Sequence, residues 1–372
     1  MARPIGAPGL LKQTAYGLVN LALVSGHAGR RGSGILVAGG ENNTQGAWDM
    51  GVSPDRLPGG MPVHPCDPGA LDRLQLGRPP VAGRDFQGMM RGVLSGEIRG
   101  LYVMGENPTA YCGDPAFLDA LGRLEMLAVQ EIFPNPLTRI ATVVLPALAM
   151  YERAGTCTNL EHRVQPFEPI AERTADARPD WEILQGVAEA MGAGFAFPTV
   201  DAVSNEIAAR VPGYEGADAQ ALSRTPGGVL WPEHGDGGGG RPWLRPDWRG
   251  ILHPAFPEEA DRVRPDEQFP VVLIFGRLQS FWNTGARSSR SALLDREETH
   301  AALHLSPEDA KTFQVRAGAR VRVVFPSGSV QTSVVLTKDL PRGVAFLPAH
   351  PVGGKLPLCM KNPVPARVEP CR

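Results

Sequence analysis

The sequence has few cysteines, and no two of them are close in sequence. Cys66, Cys112, Cys157, Cys359 and Cys371 lie far apart and form no C-x-x-C motif. Such spacing builds neither an iron–sulfur cluster nor a local zinc site. An odd, unpatterned set suits free thiols in a reducing compartment, so a cytoplasmic setting is expected. Long apolar runs are also missing. Nothing approaches the roughly 18 consecutive apolar residues of a membrane span. The N-terminal apolar stretch is broken by Lys12 and Asn20 and has amphipathic-helix spacing, so no export signal is read. Excess charge of either sign is lacking: 37 Lys and Arg against 39 Asp and Glu leave a net charge of -2. That balance offers no polyanion surface, and nucleic acid is not an expected partner. No Walker A loop, H-E-x-x-H pair or nucleophile elbow occurs.

What is abundant is glycine and proline, 44 and 36 of 372 residues, set in blocks rather than repeats. Residues 53–83 read as a long irregular excursion, and residues 231–248 as a linker. The chain is long enough for two or three domains. Its start predicts a helix through Leu11, Ala15, Leu18, Val19 and Ala22, followed by the glycine run "SGHAGRRGSG". From 84 to 230, short apolar runs alternate with helical patterns. "GLYVMG", "LEMLAVQE" and "ATVVLPA" read as buried parallel strands, and "PAFLDALGRL" and "PDWEILQGVAEAMG" as helices. That alternation predicts an open α/β sheet, which binds ligands at the carboxyl ends of its strands. From 268 onward "FPVVLIFGR", "ARVRVVF", "SVQTSVVLT" and "GVAFLPAH" are β-rich, with a turn at "PSG". One short helix is predicted at "SPEDA", with Ser306 as cap, Pro307 first and Asp309 closing a box. A compact, barrel-like β domain with that helix on its side follows.

Several segments carry polar residues in patterns with two readings. "GHAGRRGSG" follows a helix and is not G-x-G-x-x-G, so a nicotinamide-type loop is not expected and a connector is the simpler reading. "ENNTQ" places Glu41, Asn42, Asn43 and Gln45 within five positions, a recipe for turns or for pairing with a heterocycle's edge. "GENP" ends a strand, where Gly105 permits close backbone approach and Asn107 offers donor and acceptor. "VQEIF" ends the next strand with Gln130 and Glu131. Asp180 is most simply a helix N-cap, and equally an acceptor for guanine N–H groups. "AGTCTNLEHRVQ" is a polar hairpin-like segment in which His162 alone reads as a packing or solvated residue. "GRLQSFWNTGARSSRS" gathers Arg277, Thr284, Arg287 and Arg290 at a glycine-bearing turn, which suits either pyrophosphate or an exposed basic loop.

In order, these segments resemble the molybdopterin oxidoreductases, especially formate dehydrogenase catalytic subunits, a superfamily that also contributed the large peripheral subunit of respiratory complex I. The similar stretches include "ENNTQGAWDMG", "GENP", "VQEIF", "ATVVLPALAMYERAGTCTNLEHRVQ", "ARPDWEIL", "LSPEDA", "FLPAH" and "ARVEP". The resemblance implies an α/β fold with an open, mostly parallel sheet and a C-terminal six-stranded β-barrel. Residues 1–60 would be a remnant of a preceding α/β domain, 84–230 the molybdopterin oxidoreductase domain, 231–267 a linker and 268–372 the dinucleotide-binding barrel. It further implies bis-molybdopterin guanine dinucleotide, carrying molybdenum or tungsten. Asn42 and Gln45 would lie near one pterin. Gly105, Glu106 and Asn107, with Gln130, Glu131 and Asp180, would hold a guanosine end. Arg277, Trp282, Thr284, Gly285, Arg290 and His350 would come from the barrel.

The departures from the family pattern set two readings apart. The family's Cys₄ iron–sulfur module and its Cys or selenocysteine metal ligand find no counterpart here. Cys66 sits in a proline-rich loop without that context, and Phe281 and Asn283 stand where imidazoles are expected. The first reading is the C-terminal part of a formate-dehydrogenase-like enzyme whose partner polypeptide supplies the cluster and the metal ligand, with electron-transfer subunits alongside. The second is a structural subunit that keeps the fold and dispenses with the cofactor. An ordinary nicotinamide dehydrogenase does not fit the glycine pattern. A half-built sheet with an exposed edge predicts an obligate partner.

Overall fold

A computed structural model describes residues 8–28, 33–37, 41–78, 80–110, 115–174, 176–230, 250–256, 263–276, 278, 281–282, 285–297, 302–326, 328–348 and 363–371. These fall into two units, one chiefly Leu18–Glu106 with Ala120–Leu252, the other Arg3–Gly17, Asn107–Asp119 and His253–Arg372.

The chain opens with α1 (Pro8–Val24), then α2 (Thr44–Asp49), the short pair β1 (Arg56–Leu57) and β2 (Met61–Pro62), and helices α3 (Pro68–Arg73) and α4 (Phe86–Leu94). Helix α1 forms as its periodicity predicts, although Leu18, Leu21 and Val24 are exposed. The excursion over 53–83 is not wholly irregular: it holds the β1–β2 pair and α3, whose Asp67 cap accepts from Gly69 N.

Three parallel strands follow, β3 (Gly100–Met104), β4 (Met126–Glu131) and β5 (Val143–Pro146), with α5 (Pro115–Gly122) between the first two. They pair in the order β3-β4-β5, with Val103 opposite Val129 and Val129 opposite Val144. Central β4 buries Leu127, Ala128, Val129 and Gln130, the near-continuous apolar run of a strand covered on both faces. The outer strands differ: Tyr102, Met104, Val143 and Val144 are exposed.

The "GTCTNLEHRVQ" segment forms a hairpin of β6 (Gly155–Thr158) and β7 (Arg163–Phe167). Asn159 makes its turn, because its side-chain oxygen accepts from Glu161 N and Arg163 N at 2.9 and 3.1 Å. Then come α6 (Asp180–Ala190), α7 (Val200–Arg210), α8 (Ala219–Arg224) and β8 (Val229–Leu230), the last pairing with β7. Val164, Val211, Tyr214, Leu222 and Val229 form one apolar cluster.

The second unit is built on β9 (Val271–Gly276), α9 (Ala292–Glu297), β10 (Leu303–Leu305), α10 (Pro307–Thr312), β11 (Arg320–Phe325), β12 (Gly328–Leu336), β13 (Val344–Pro348) and β14 (Val364–Pro370). Six strands close a barrel in the order β10-β12-β11-β14-β9-β13. Alternate residues point inward, so Val271, Leu273, Phe275, Val321, Val323, Phe325, Ala366 and Val368 share one core. Gly276 lies so close to Phe346 that a Cβ there would come within 2.5 Å of the ring. Helix α10 starts as predicted, with Asp309 N donating to Ser306 Oγ at 3.1 Å. Asp309 does more than close the box. Its Oδ2 accepts from Ser306 Oγ and from Gly343 N, both at 2.8 Å, and so ties α10 to the entry of β13.

Asp309→Ala leaves the Gly343 N–H without its acceptor, next to a carboxylate site that is 4% exposed. We expect a loss of about 1–3 kcal/mol, read as a lower urea midpoint. An unchanged midpoint contradicts the tie.

Candidate functional site

Strand β4 ends in an amide and an acid that behave differently. Gln130 is fully buried, and its side chain is spent on two neighbours. Its Oε1 accepts from the Tyr102 hydroxyl, the diagonal neighbour on β3, and its Nε2 donates to Asp180 Oδ1 at 2.7 Å. Burial and the nearby Asp180 carboxylate both push the Tyr102 phenol upward, which keeps it a donor. Glu131 accepts from Ile132 N at 2.8 Å through Oε1, while its carbonyl receives Ala147 N from beyond β5. Asp180 is not the N-cap. The cap position is Pro179, and Asp180 opens α6 with no capping bond of its own. Its carboxylate goes instead to Gln130 and to Arg153, whose Nη2 lies 3.4 Å from Oδ2.

Gly105 N donates to Gln130 O at 2.8 Å, and its φ of +65° is the left-handed turn that ends β3. A Cβ there would meet nothing within 4 Å, so the space beside it is open. Glu106 is exposed next to it. In the other unit, Asn107 Oδ1 accepts from Thr109 N at 3.2 Å and Thr109 Oγ1 at 2.6 Å, an Asx-type turn. A cleft of about 290 Å³ opens past the ends of β4 and β5, lined among others by Ile132, Phe133, Ala147, Tyr151 and Glu152. Neither Gln130 nor Asp180 lines it. Hydrogen bonds from Thr174 Oγ1 and Ala149 N hold the Glu152 carboxyl below its usual range.

Of the "ENNTQGAWD" stretch, expected as turns, residues 41–43 do form a bend and turn, while Thr44–Asp49 winds into the six-residue helix α2. Its polar side chains meet the β6 hairpin. Asn43 Oδ1 accepts from Thr158 N at 2.8 Å, and Asn42 Nδ2 reaches Cys157 Sγ at 3.9 Å. Gln45 Nε2 donates to Asp49 Oδ1 at 2.8 Å, and Tyr214 OH donates to Asp49 Oδ2 at 3.1 Å. Gly46 permits this approach, since a Cβ there would fall 3.2 Å from Thr158 Oγ1 and closer still to Asn43. Asp49 is 3% exposed. Burial raises its pKa against the lowering effect of those two hydrogen bonds. His162, at a φ of +63°, is shifted the other way: burial lowers its pKa while Asp49 raises it. Burial also pushes up Tyr214 and Cys157.

In the barrel unit, Trp282 N donates to Ser288 Oγ at 2.8 Å, and Gly285 N to Trp282 O at 2.8 Å, with Gly285 at φ +77°. Arg290 Nη1 donates to Ala286 O. Phe281 is 4% exposed, so its ring packs inside rather than facing an open site. Arg277, Thr284 and His350 lie outside the described residues, as do Asn283 and Cys112. Among the described residues no three His, Cys, Asp or Glu side chains converge as a metal site, and no helix is long and apolar enough to cross a membrane.

One unit thus holds a parallel sheet with polar strand ends and the other a closed six-stranded barrel. Residues 12–190 match the molybdopterin oxidoreductase family and residues 271–365 the "Molydopterin dinucleotide binding domain". The chain belongs to the molybdopterin oxidoreductase family and is formate-dehydrogenase-like within it. It is 32% identical to the F420-dependent formate dehydrogenase subunit alpha of Methanocaldococcus jannaschii, over 90% of this chain and 50% of that protein. It is 28% identical to the assimilatory nitrate reductase catalytic subunit of Bacillus subtilis, over 90% of this chain and 49% of that one. The chain thus spans about half the length of the curated relatives it matches. The fold is also that of acetylene hydratase from Pelobacter acetylenicus, with a TM-score of 0.61 at 14% identity, over 82% of this chain and 49% of that one.

The residues present fit a molybdopterin-type cofactor with a nucleotide end. Open space lies beside Gly105, Asp180 keeps acceptor capacity beyond its two bonds, and the buried Arg153 Nε has no hydrogen-bond partner. Arg153, Asp49 and Tyr214 were not singled out by sequence. Arg153 had only its place before "GTCTN" as a signal, and Tyr214 had none.

The Asp49 shift has a sign that can be checked. A buried carboxyl with a raised pKa adds stability while protonated and loses it as pH rises from the unfolded value of 3.8 through the folded one. Asp49→Asn removes that loss. Its stability relative to wild type, from urea unfolding at a series of pH values, should therefore improve between pH 4 and pH 7. A difference that stays flat, or runs the other way, contradicts the assignment.

Proposed function

We propose that this chain is the C-terminal part of a formate-dehydrogenase-like molybdopterin oxidoreductase and binds bis-molybdopterin guanine dinucleotide. The single observation that carries this reading is the Asp180 carboxylate, fixed by Gln130 and Arg153 at the end of β4, the strand whose Gln130 carbonyl also holds the open Gly105 turn. Strand ends of a parallel sheet are where nucleotides sit, because loop amides and helix N-termini converge there. When bound, the cofactor supplies two-electron redox chemistry at its molybdenum or tungsten.

The chain's own residues bind and orient. Asp180 accepts from the guanine N–H groups, and Gln130, held by Tyr102, keeps the carboxylate in place. The exposed Glu106 and the Glu131 carboxylate supply acceptors for ribose hydroxyls. Asn42 and Gln45 lie toward a pterin, with Gln45 oriented by Asp49. In the barrel unit, Trp282, Gly285 and Arg290, together with Arg277, Thr284 and His350, are the residues proposed for cofactor binding.

The iron–sulfur cluster and the metal ligand come from outside these residues, and electron-transfer subunits complete the assembly. The exposed apolar residues of α1 and the open strands β3 and β5 support a covering partner.

Protein purified from its native host together with its neighbouring gene products should release guanine nucleotide and pterin on acid treatment, with molybdenum or tungsten in matching amount. Asp180→Ala should lower the nucleotide content about tenfold or more, the scale of a lost charged hydrogen-bond acceptor. Protein carrying neither pterin nor metal overturns the enzyme reading.

A further inference from the structure

The buried carboxyl of Asp49 ends a chain of hydrogen bonds that has a direction. Its Oδ1 receives Gln45 Nε2 at 2.8 Å, and its Oδ2 receives the Tyr214 hydroxyl at 3.1 Å. The Tyr214 oxygen lies 3.3 Å from Thr158 Oγ1. An ionised carboxylate only accepts, so Tyr214 gives its proton to Asp49 and takes one from Thr158. The same constraint orients the amide of the half-buried Gln45. Its nitrogen has to face Asp49, which leaves the carbonyl oxygen and one N–H pointing elsewhere.

A neutral carboxyl changes that rule, because its O–H is a donor. Asp49 then bonds the Gln45 oxygen, and the amide turns over so that both N–H groups point away. Tyr214 stays on Oδ2 in either state, since burial pushes its phenol up and keeps the hydroxyl protonated. From the β6–β7 turn, His162 favours ionised Asp49 through its charge, and the flanking Glu161 and Arg163 pair with each other at 3.6 Å. From the β1–β2 turn, Gly59 N donates to the Asp49 carbonyl at 2.6 Å, and Arg56 donates to Gly60 O. Burial outweighs these influences and holds the Asp49 proton above the usual carboxylate range. We propose that Asp49 is the positioning residue for Gln45: ionised, it turns the amide oxygen outward as an acceptor, and protonated, it turns the N–H groups outward as donors. The proposal rests on the reading above that Gln45 faces a pterin, and it adds a selection. With Asp49 ionised, the oxygen takes a ring N–H or an amino group of that ligand; with Asp49 protonated, the same group meets donors.

The test uses the full chain, co-expressed with its neighbouring gene products in a host unable to make molybdopterin, with isotope-labelled nitrogen in its glutamine side-chain amides. The Gln45 resonance is the one missing from Gln45→Met. Between about pH 8 and about pH 4, the Gln45 N–H facing Asp49 should lose its bonded chemical shift and its protection from solvent exchange in one step. Asp49→Asn should abolish that step. Tyr214→Phe should raise its midpoint by about one to two pH units, the worth of a hydrogen bond to a charged group. His162→Gln should keep the step, which separates the Asp49 proton from that of the imidazole. A Gln45 resonance unchanged over the range overturns the proposal, and so does a step that survives in Asp49→Asn or vanishes with His162→Gln. The ligand reading is checked separately, on protein from the native host, whose pterin retention should fall through the same midpoint in wild type and not in Asp49→Asn. Retention that ignores the midpoint while the amide still turns overturns the pterin contact of Gln45 and leaves the Asp49 control of the amide standing.

Discussion

The Gln130 side chain is an amide with no access to water, at the end of the central strand of a three-stranded sheet. A buried amide left unpaired costs several kcal/mol, so its two bonds are obligatory rather than decorative. One binds Tyr102 on β3, the other Asp180 at the start of α6. Three elements separated by up to 78 residues in sequence are thereby held in one register. The Asp180 carboxylate is presented by this network and by nothing else in its own helix, since it makes no capping bond. Removing either neighbour would leave the amide stranded, which couples strand pairing to the site.

The same economy holds in the α2 segment. Asn42 is exposed, but the other two amides are engaged. Asn43 closes on Thr158 N and Gln45 on Asp49, and Tyr214 completes the Asp49 shell. The bond to Asp49 leaves the Gln45 side-chain oxygen for the pterin contact proposed above. The strand β6 joins both regions, with Arg153 just before it at Asp180 and Cys157 within it at Asn42.

Much of the fold was legible because its signals are local. Parallel strands β3 to β5 showed as apolar runs, the barrel strands β9, β11, β12 and β13 as β-rich alternation, and α10 by its Ser306 cap. Strands β10 and β14 were missed, the first because three residues carry too little pattern. Helices α7 and α8 were passed over as well. The site was legible only in part. Gln130 and Glu131 were placed beside the Gly105 turn by the rule that strand ends converge, and Asp180 joined them only through the family resemblance, its residue reading favouring a cap role that its carboxylate does not take. Segment α2 read as turns because its amides pack on the β6 hairpin, where Gly46 lies close to Thr158, 112 positions away, and no local pattern carries that approach. Arg153 and Tyr214 matter through partners distant in sequence, and their own neighbourhoods announce nothing. Near the barrel turn, where the resemblance led to an imidazole being expected, the Phe281 ring is buried and packs inside.

The central claim is that the Gln130-held carboxylate of Asp180 is a guanine acceptor. The most direct measurement is a crystal structure of the full chain, with its partner subunits, containing bound GDP. The account predicts the base edge within hydrogen-bond distance of both Asp180 oxygens, with the Gln130 bond to Oδ1 intact. A nucleotide bound elsewhere, with Asp180 still joined only to Gln130 and Arg153, would contradict it.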